Sequence, residues 1–185
     1  YQTGYTYDKQ NNQTEITNPD SSKVQYNYNS AGQLETVKRK ESTDGSFINV
    51  VNSFDYSPEG KIVTQANANG TTIVNTYDPA KLYRLTNKVT TNASGARIQD
   101  VAYTYDLIGN ITQMIDASSG AAAKTAVYTY DDLYRLISAT INNVASGQNP
   151  YTQTFAYDAI GNILTKIETI GTAPTVTYTY TYAGN

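Results

Sequence analysis

One short motif recurs eight times along this chain of 185 residues, and its period limits the folds that the chain can adopt. The motif centres on a Tyr, preceded in most copies by another aromatic residue two positions earlier. In its fullest form it continues as Asp, two further residues, and then Gly-Asn-Ile or Tyr-Arg-Leu. The central Tyr falls at positions 7, 28, 56, 77, 105, 130, 157 and 182. These positions are 21 to 28 residues apart, and such intervals are typical of an array in which each repeat is one supersecondary unit.

Each repeat contains the signals of one β-hairpin. Aromatic residues two positions apart, such as Tyr103 and Tyr105, lie on one face of a strand. The Asp that follows can accept hydrogen bonds from backbone N–H groups two residues on, which starts a turn. Gly109 and Gly161 stand three residues after that Asp, where a hairpin loop often needs a positive φ. An aliphatic residue such as Ile111 then begins the next strand, and turn-rich stretches at 92–95, 116–120 and 142–147 close the units.

The structural repeat motif is assigned to the central Tyr of each copy and to the turn residues after it. These positions are Tyr7, Asp8, Tyr28, Gly32, Tyr56, Gly60, Tyr77, Asp78, Tyr105, Asp106, Gly109, Asn110, Tyr130, Asp131, Arg135, Tyr157, Asp158, Gly161, Asn162 and Tyr182.

The pattern predicts an all-β fold of consecutive antiparallel hairpins, with about 14 to 16 strands in one long sheet. Because strand twist accumulates, we expect the sheet to be curled or spiralling rather than flat. Tyr and aliphatic side chains are expected on one face, and Thr, Asn, Gln and Lys on the other. No change of composition marks a boundary, so residues 1–185 are expected to form a single array of about seven to eight repeats, as a fragment of a longer protein.

The composition excludes several kinds of active site. Cys and His are both absent, which excludes thiol catalysis, Ser-His-Asp groupings, His-ligated or Cys-ligated zinc and iron–sulfur clusters. A formal charge of −3 provides no basic surface for nucleic acid. No apolar run approaches the length of a membrane span. The 18 Tyr residues and abundant Thr favour strands, while Gly and Asn favour turns.

The copies at 103–111, 128–136 and 155–163 resemble the YD repeats, or Rhs repeats, of Rhs and wall-associated proteins, Tc toxin C components and teneurins. The resemblance covers nearly the whole chain and weakens over 1–73, where Asn29 and Ser57 replace the Asp. It implies a spiralling sheet that can form part of a hollow β-shell. Such a shell encloses a toxic C-terminal segment in Rhs and Tc proteins and is an extracellular adhesion scaffold in teneurins. Carbohydrate binding is a further property that the resemblance implies.

The repeated carboxylates are the most evident candidates for chemistry. Asp8, Asp78, Asp106, Asp131 and Asp158 have two interpretations, as ligands or acids and as turn caps. Their fixed position beside a turn favours capping. The sequence contains no Gly-Gly-x-Gly-x-Asp calcium array, and its Glu residues are scattered, which disfavours a glycosidase pair. We therefore predict no enzymatic activity, metal or cofactor.

The aromatic and basic residues also have two interpretations. Tyr side chains phased with the repeat are expected to pack within the sheet, although Tyr can also stack on sugar rings. Lys38, Arg39 and Lys40 open the charged stretch 38–52, which is interpreted as a solvated hairpin tip rather than an anion site. Tyrosines outside the main phase or in turns are the better ligand candidates, namely Tyr1, Tyr83, Tyr134 and Tyr151.

The function expected from the sequence is a non-enzymatic scaffold, as a wall segment of an Rhs-like shell around a toxin or of a cell-surface protein. The alternatives are an extracellular adhesin for glycans or partner proteins and a self-assembling extracellular β-fibre. The segment 175–182 carries no charge and no Pro, as an unguarded edge strand would. Partners are therefore expected to be the rest of the polypeptide or another copy, in addition to an enclosed toxin domain or a glycan. A secreted or cell-surface location follows from this interpretation.

Overall fold

The computed structural model describes residues 1–118, 123–142 and 149–182, whose regular secondary structure is almost entirely β. One short 3-10 helix, Pro79–Lys81, interrupts the strands of the described residues. The strands are β1 (Gly4–Tyr7), β2 (Gln13–Thr17), β3 (Lys23–Tyr28), β4 (Leu34–Lys40), β5 (Ile48–Tyr56), β6 (Ile62–Asn67), β7 (Thr72–Asp78), β8 (Arg84–Thr91), β9 (Arg97–Tyr105), β10 (Ile111–Asp116), β11 (Lys124–Tyr130), β12 (Leu136–Asn142), β13 (Tyr151–Tyr157), β14 (Ile163–Ile170) and β15 (Val176–Thr179).

The strands form a 15-stranded sheet in which strand order equals chain order. Pairing is antiparallel from β1 to β7 and from β9 to β15. The predicted succession of antiparallel hairpins is therefore confirmed, including the number of strands. The predicted closing turn at 92–95 joins β8 to β9. Parts of the other two closing stretches, 119–120 and 143–147, lie outside the described residues, as do Gly184 and Asn185 of the last motif.

Most turns at both ends of the hairpins share one five-residue geometry. In the turn 158–162, the N–H of Asp158 donates to the carbonyl of Asn162 at 2.9 Å, and the N–H of Gly161 donates to the carbonyl of Asp158 at 3.2 Å. The fourth residue takes a positive φ between 63° and 111°, as expected for a hairpin loop built on a type I turn with a bulge. These fourth residues are Asn11, Ser21, Gly32, Gly60, Gly70, Gly95, Gly109, Tyr134 and Gly161. The positive φ predicted for Gly109 and Gly161 is confirmed.

Few side chains of the sheet are fully buried. Contacts divide the chain into one unit of Tyr1–Tyr77 with Lys88–Ile98 and another of Asp78–Asn87 with Gln99–Asn185. Val51 is buried in the first unit, and Val101 and Ala126 are buried in the second. Among the described residues, the sheet is therefore held together mainly by half-buried side chains paired across neighbouring strands.

The interpretation of 38–52 as a hairpin tip is wrong at both of its ends. Strand β4 continues through Lys40, with Lys38 opposite Gln25 and Arg39 opposite Val24, and β5 begins at Ile48. The tip is therefore only 41–47. Charged residues fit within this strand because their long side chains reach water from an open sheet face.

Candidate functional site

The Asp of the motif turn holds the turn closed. Oδ1 of Asp106 accepts hydrogen bonds from the N–H groups of Ile108, Gly109 and Asn110 at 3.1, 2.7 and 2.8 Å. Its Oδ2 accepts a bond from Nδ2 of Asn110 at 2.9 Å. Asp8 and Asp158 make the corresponding bonds to the backbone and side chain of the Asn four residues on.

These hydrogen bonds favour the ionised carboxylates. The side-chain and backbone bonds from Asn12 hold the pKa of Asp8 below its usual value. For Asp131, the backbone N–H of Arg135 is the largest cause of a lowered pKa, and the Arg135 side chain adds to it. The pKa values of Asp106 and Asp158 are also lowered, because hydrogen bonds outweigh the opposing effect of burial. The carboxylates are thus engaged in closing their own turns.

The copies without Asp show that a neutral acceptor can occupy this position. Oδ1 of Asn29 accepts bonds from the N–H groups of Ala31 and Gln33 at 3.0 Å each. Its Nδ2 donates to Oε1 of Gln33 at 3.1 Å, the reverse of the Asp–Asn polarity. Oγ of Ser57 accepts a bond from the N–H of Lys61 at 3.3 Å. The turn therefore requires an acceptor rather than a charge, which supports the capping interpretation of the Asp residues.

The turn after β7 departs from the five-residue form. Oδ1 of Asp78 accepts a bond from the N–H of Ala80 at 2.9 Å and begins the 3-10 helix. Leu82 and Tyr83 follow it with φ of 57° and 53°. Pro79 favours the helical turn because its ring fixes φ near the helical value.

In the described residues, no three His, Cys, Asp or Glu side chains are grouped so that they could hold a metal ion. None of the helices in the described ranges has the length and apolar character to cross a membrane.

The central Tyr of each motif after the first ties its hairpin to the preceding one. The hydroxyl of Tyr130 donates to the carbonyl of Ile111 at 2.8 Å, and that of Tyr157 donates to the carbonyl of Leu136 at 2.7 Å. We call this series of bonds the tyrosine ladder. In each bond the acceptor lies at the start of the strand that follows the preceding motif turn. The other members are Tyr28 to Gln13, Tyr56 to Leu34, Tyr77 to Ile62, Tyr105 to Leu85 and Tyr182 to Ile163.

Four of the ladder side chains sit in a less polar environment than free tyrosine. Burial is the largest cause that raises the pKa of Tyr28, Tyr56, Tyr105 and Tyr130 above the usual value. The proton is therefore retained on the hydroxyl that donates to the neighbouring strand. Tyr7, in the first copy, ends β1 and is 56% exposed.

Arginine side chains reinforce the ladder at two turns. Nε of Arg135 bonds to Oδ2 of Asp131 at 2.7 Å, and Nη1 donates to the carbonyl of Asp158 at 2.9 Å. The guanidinium also lies over the ring of Tyr157, 4.7 Å from its centroid. We call this arrangement an arginine clamp.

The second clamp uses Arg84, which the sequence reasoning missed. Its Nη1 donates to the carbonyl of Asp106 at 3.0 Å, and its guanidinium lies 5.7 Å from the ring centroid of Tyr105. The signal was available in the sequence, because Tyr83-Arg84-Leu85 repeats the tripeptide at 134–136.

The four tyrosines predicted as ligand candidates do not share one environment. Tyr1 is fully exposed, and Tyr134 is 61% exposed at the fourth position of its turn. Tyr83 is half-buried in the turn after the 3-10 helix. Tyr151 lies in β13, outside the phase of the motif, and its hydroxyl donates to Glu168 at 2.8 Å. Its role as a ligand residue stays a prediction.

Glu168 is the centre of a polar cluster that sequence reasoning also missed. Its Oε1 accepts bonds from Tyr151 at 2.8 Å, Gln153 at 2.8 Å and Lys166 at 2.7 Å. These donors, Lys166 first, lower the pKa of Glu168 to about 2. Lys166 stands directly opposite Phe155 and Tyr178, on the aromatic face. The expected separation of aromatic and polar faces is therefore wrong at β13 to β15, where the cluster satisfies its own charges.

The capping interpretation makes a prediction at Asp158. Asp158→Ala should lower the melting temperature, because two backbone N–H groups and the Asn162 amide lose their acceptor. Asp158→Asn should cost much less, since Asn29 makes the same backbone bonds in its own turn. Thermal unfolding followed by circular dichroism measures both variants at pH 7. Equal losses for Ala and Asn would contradict capping and would indicate that the charge itself is required.

The chain is similar to a repeat family and to parts of two toxin subunits. Residues 7–44 match the RHS Repeat family model. Toxin subunits YenC1 and YenC2 of Yersinia entomophaga are 28% and 27% identical over alignments of 144 and 147 residues, and each alignment covers 62% of this chain. The chain spans only 15% of the length of each of these relatives.

Solved structures show the same fold. The crystal structure of TcdB2-TccC3-Cdc42 aligns with a TM-score of 0.85 and 23% identity over 96% of this chain and 10% of that chain. The Tc holotoxin pore of Photorhabdus luminescens aligns equally well over 96% of this chain and 9% of its own. The repeat matched at 7–44, the two similar subunits and the shared fold confirm the resemblance of the motifs to YD repeats, or RHS repeats.

Proposed function

We propose that this chain is a non-enzymatic wall segment of an Rhs-like shell that encloses a toxic C-terminal segment, in a secreted or cell-surface protein. The observation that carries the proposal is the tyrosine ladder, which joins successive hairpins by one repeated bond. Because each bond joins only neighbouring hairpins, a sheet with such a ladder can grow by further hairpins without the limit on size that a closed core sets. The similarity to two toxin subunits supports a place within a toxin protein.

The carboxylates support a structural role rather than catalysis. The Asp residues of the motif accept hydrogen bonds within their own turns, and Glu168 accepts three short ones. A general acid or base needs a pKa near the working pH, and the pKa values of these groups are displaced downwards.

The last strand supports growth of the sheet by strand addition. The N–H of Tyr180 donates to the carbonyl of Leu164 in the adjacent strand β14 at 3.0 Å. Because alternate residues of a strand point their backbone groups to opposite sides, the N–H groups of Thr177 and Thr179 point away from β14. Strand β15, shorter than the predicted 175–182, is exposed along its whole length. This edge is suited to pairing with a further strand of the same polypeptide.

The shell proposal is tested in the complete gene product that contains this segment. We expect the region after the repeats to resist proteinase K while the shell is intact and to be digested when mild denaturant opens it. Mass spectrometry of the fragments at successive times measures this protection. Equal digestion rates before and after opening would overturn encapsulation.

The open edge of β15 also favours a second candidate, self-association into a fibre. Thr179→Pro should weaken association of the isolated 185-residue chain by about tenfold or more, because it removes an outward donor and leaves the bonds to β14 in place. Sedimentation velocity across a wide concentration range measures the effect.

The matched control is Tyr178→Pro. The N–H of Tyr178 faces β14, so removing this N–H should detach the edge strand itself. A chain that is monomeric at every concentration, and unaffected by Thr179→Pro, would exclude both the fibre and association through this edge.

A further inference from the structure

The gaps between neighbouring motif turns differ in what fills them. Arg135 spans the gap between turns 131–135 and 158–162, where it contacts the Tyr157 ring and the Asp158 carbonyl. Arg84 spans the gap between turns 78–83 and 106–110, with the Tyr105 ring and the Asp106 carbonyl in the same roles. Two gaps, one after the five-residue turn 131–135 and one after the longer turn 78–83, thus each accept one guanidinium against a Tyr ring and a backbone carbonyl.

Among the described residues, no arginine lines the gap between these two clamps. The residue at the clamp position is Asn110, whose amide is bonded back to Asp106 at 2.9 Å. The elements that receive a guanidinium elsewhere are nevertheless present. Tyr130 makes its ladder bond to Ile111, as Tyr157 and Tyr105 do to their own acceptors.

The backbone acceptor is also present in this gap. The carbonyl of Asp131 accepts the N–H of Tyr134 at 2.9 Å. A carbonyl oxygen has two lone pairs. The corresponding carbonyl of Asp158 uses both, for Gly161 and for Arg135.

The open gap is a cleft of about 440 Å³ that Ile108, Asn110, Tyr130, Asp132 and Tyr134 help to line. The cleft beside Arg84 in its clamped gap measures about 160 Å³. The exposed carboxylate of Asp132 adds negative charge at the rim. In the first unit, side chains of the chain itself reach the corresponding turns, since Gln10 lies beside Gly32 and Gln33 beside Gly60.

We propose that the cleft between turns 106–110 and 131–135 binds a guanidinium group, supplied by an arginine side chain of a partner segment. The group would lie over the Tyr130 ring and donate to the Asp131 carbonyl, as Arg135 does at Tyr157 and Asp158. Planarity, positive charge and several donors are the properties that this set of acceptors selects. The inference rests on the internal repeat and is independent of encapsulation.

The test uses N-acetyl-arginine methylamide as the probe and the citrulline analogue, which has the same shape without the charge, as its control. Two-dimensional NMR titration of the 185-residue chain reports binding at the amides of 106–110 and 131–135. We expect the arginine probe to bind about fivefold or more tightly than the citrulline probe. Equal binding of the two probes, or no saturable shift at these amides, would overturn the proposal.

Two variants test the location. Asn110→Arg should place a third clamp in the cleft and abolish probe binding there, whereas Asn162→Arg adds the same charge at another turn and should leave it unchanged. Arg135→Asn should empty its own gap and create new probe-dependent shifts around Tyr157. Retained binding in Asn110→Arg, or loss in Asn162→Arg, would show that the probe responds to something other than this cleft.

Discussion

Replacing Gly109 by Val is expected to lower the free energy of unfolding by about 3 kcal/mol. Gly109 has a φ of +111°, which a β-branched residue adopts only under strain. A Cβ at this position would also lie 2.9 Å from Nη2 of Arg84, which passes through the space that the glycine leaves open. Urea unfolding followed by circular dichroism measures the change.

Gly161→Val is the matched control, because it separates backbone strain from collision with the clamp. Gly161 has a φ of +98°, but no atom lies within 4 Å of the position that its Cβ would take. We expect a loss of about 1 to 2 kcal/mol from strain alone. A Gly109→Val variant no less stable than Gly161→Val would show that Arg84 moves aside at no cost and that its clamp adds nothing to stability, and a neutral Gly161→Val would show that its turn is wrongly assigned.

Raising the pH above about 10 is expected to destabilise the sheet steeply, because the tyrosine ladder depends on protonated hydroxyls. Burial raises the pKa of Tyr28, Tyr56, Tyr105 and Tyr130 in the folded chain. A group whose pKa is higher in the folded chain than in the unfolded chain adds stability that is fully present below its unfolded pKa. This stability is lost as the pH rises through its folded pKa. The melting temperature measured between pH 8 and pH 12 should therefore fall most steeply at the alkaline end.

Substitution of single tyrosines identifies the groups responsible. Tyr130→Phe should cost about 1 kcal/mol at pH 8, since the Ile111 carbonyl loses its donor, and should flatten the alkaline fall. Tyr134→Phe, at an exposed turn position, should leave both quantities unchanged. A pH profile in Tyr130→Phe identical to that of the unmodified chain would contradict a role for the ladder in alkaline unfolding.

Local interactions explain why much of the fold can be predicted from the sequence. The bonds that Asp106 makes reach no farther than Asn110, so a five-residue window contains the whole turn. The alternation of strand residues and the positive φ of Gly109 and Gly161 have the same short range. Because each hairpin pairs with its sequence neighbour, the local signals also determine the strand order.

Some local features nevertheless cannot be predicted from residue type. Tyr134 takes the positive φ that Gly109 takes in the preceding turn, although Tyr rarely adopts it. Its turn is closed by Asp131 and Arg135, whose ion pair and backbone bonds offset the strain. The charge of Lys38 and Arg39 predicts a loop, but both residues lie in β4, where an open sheet face leaves their side chains in water.

The sequence by itself determined the repeat, its turns and the all-β meander, because each of these depends on residues within one hairpin. Only the tertiary structure decided which side chains meet between hairpins. Arg84 reaches Asp106 across 22 positions and Tyr105 reaches Leu85 across 20, and Glu168 collects donors from β13 and β14. Such contacts depend on register and bulges, which place one turn against the next, and a bulge of one residue changes which side chains face each other. The difference between the two clamped gaps and the open cleft beside Tyr130 has the same cause, because residues of two motif turns line that cleft.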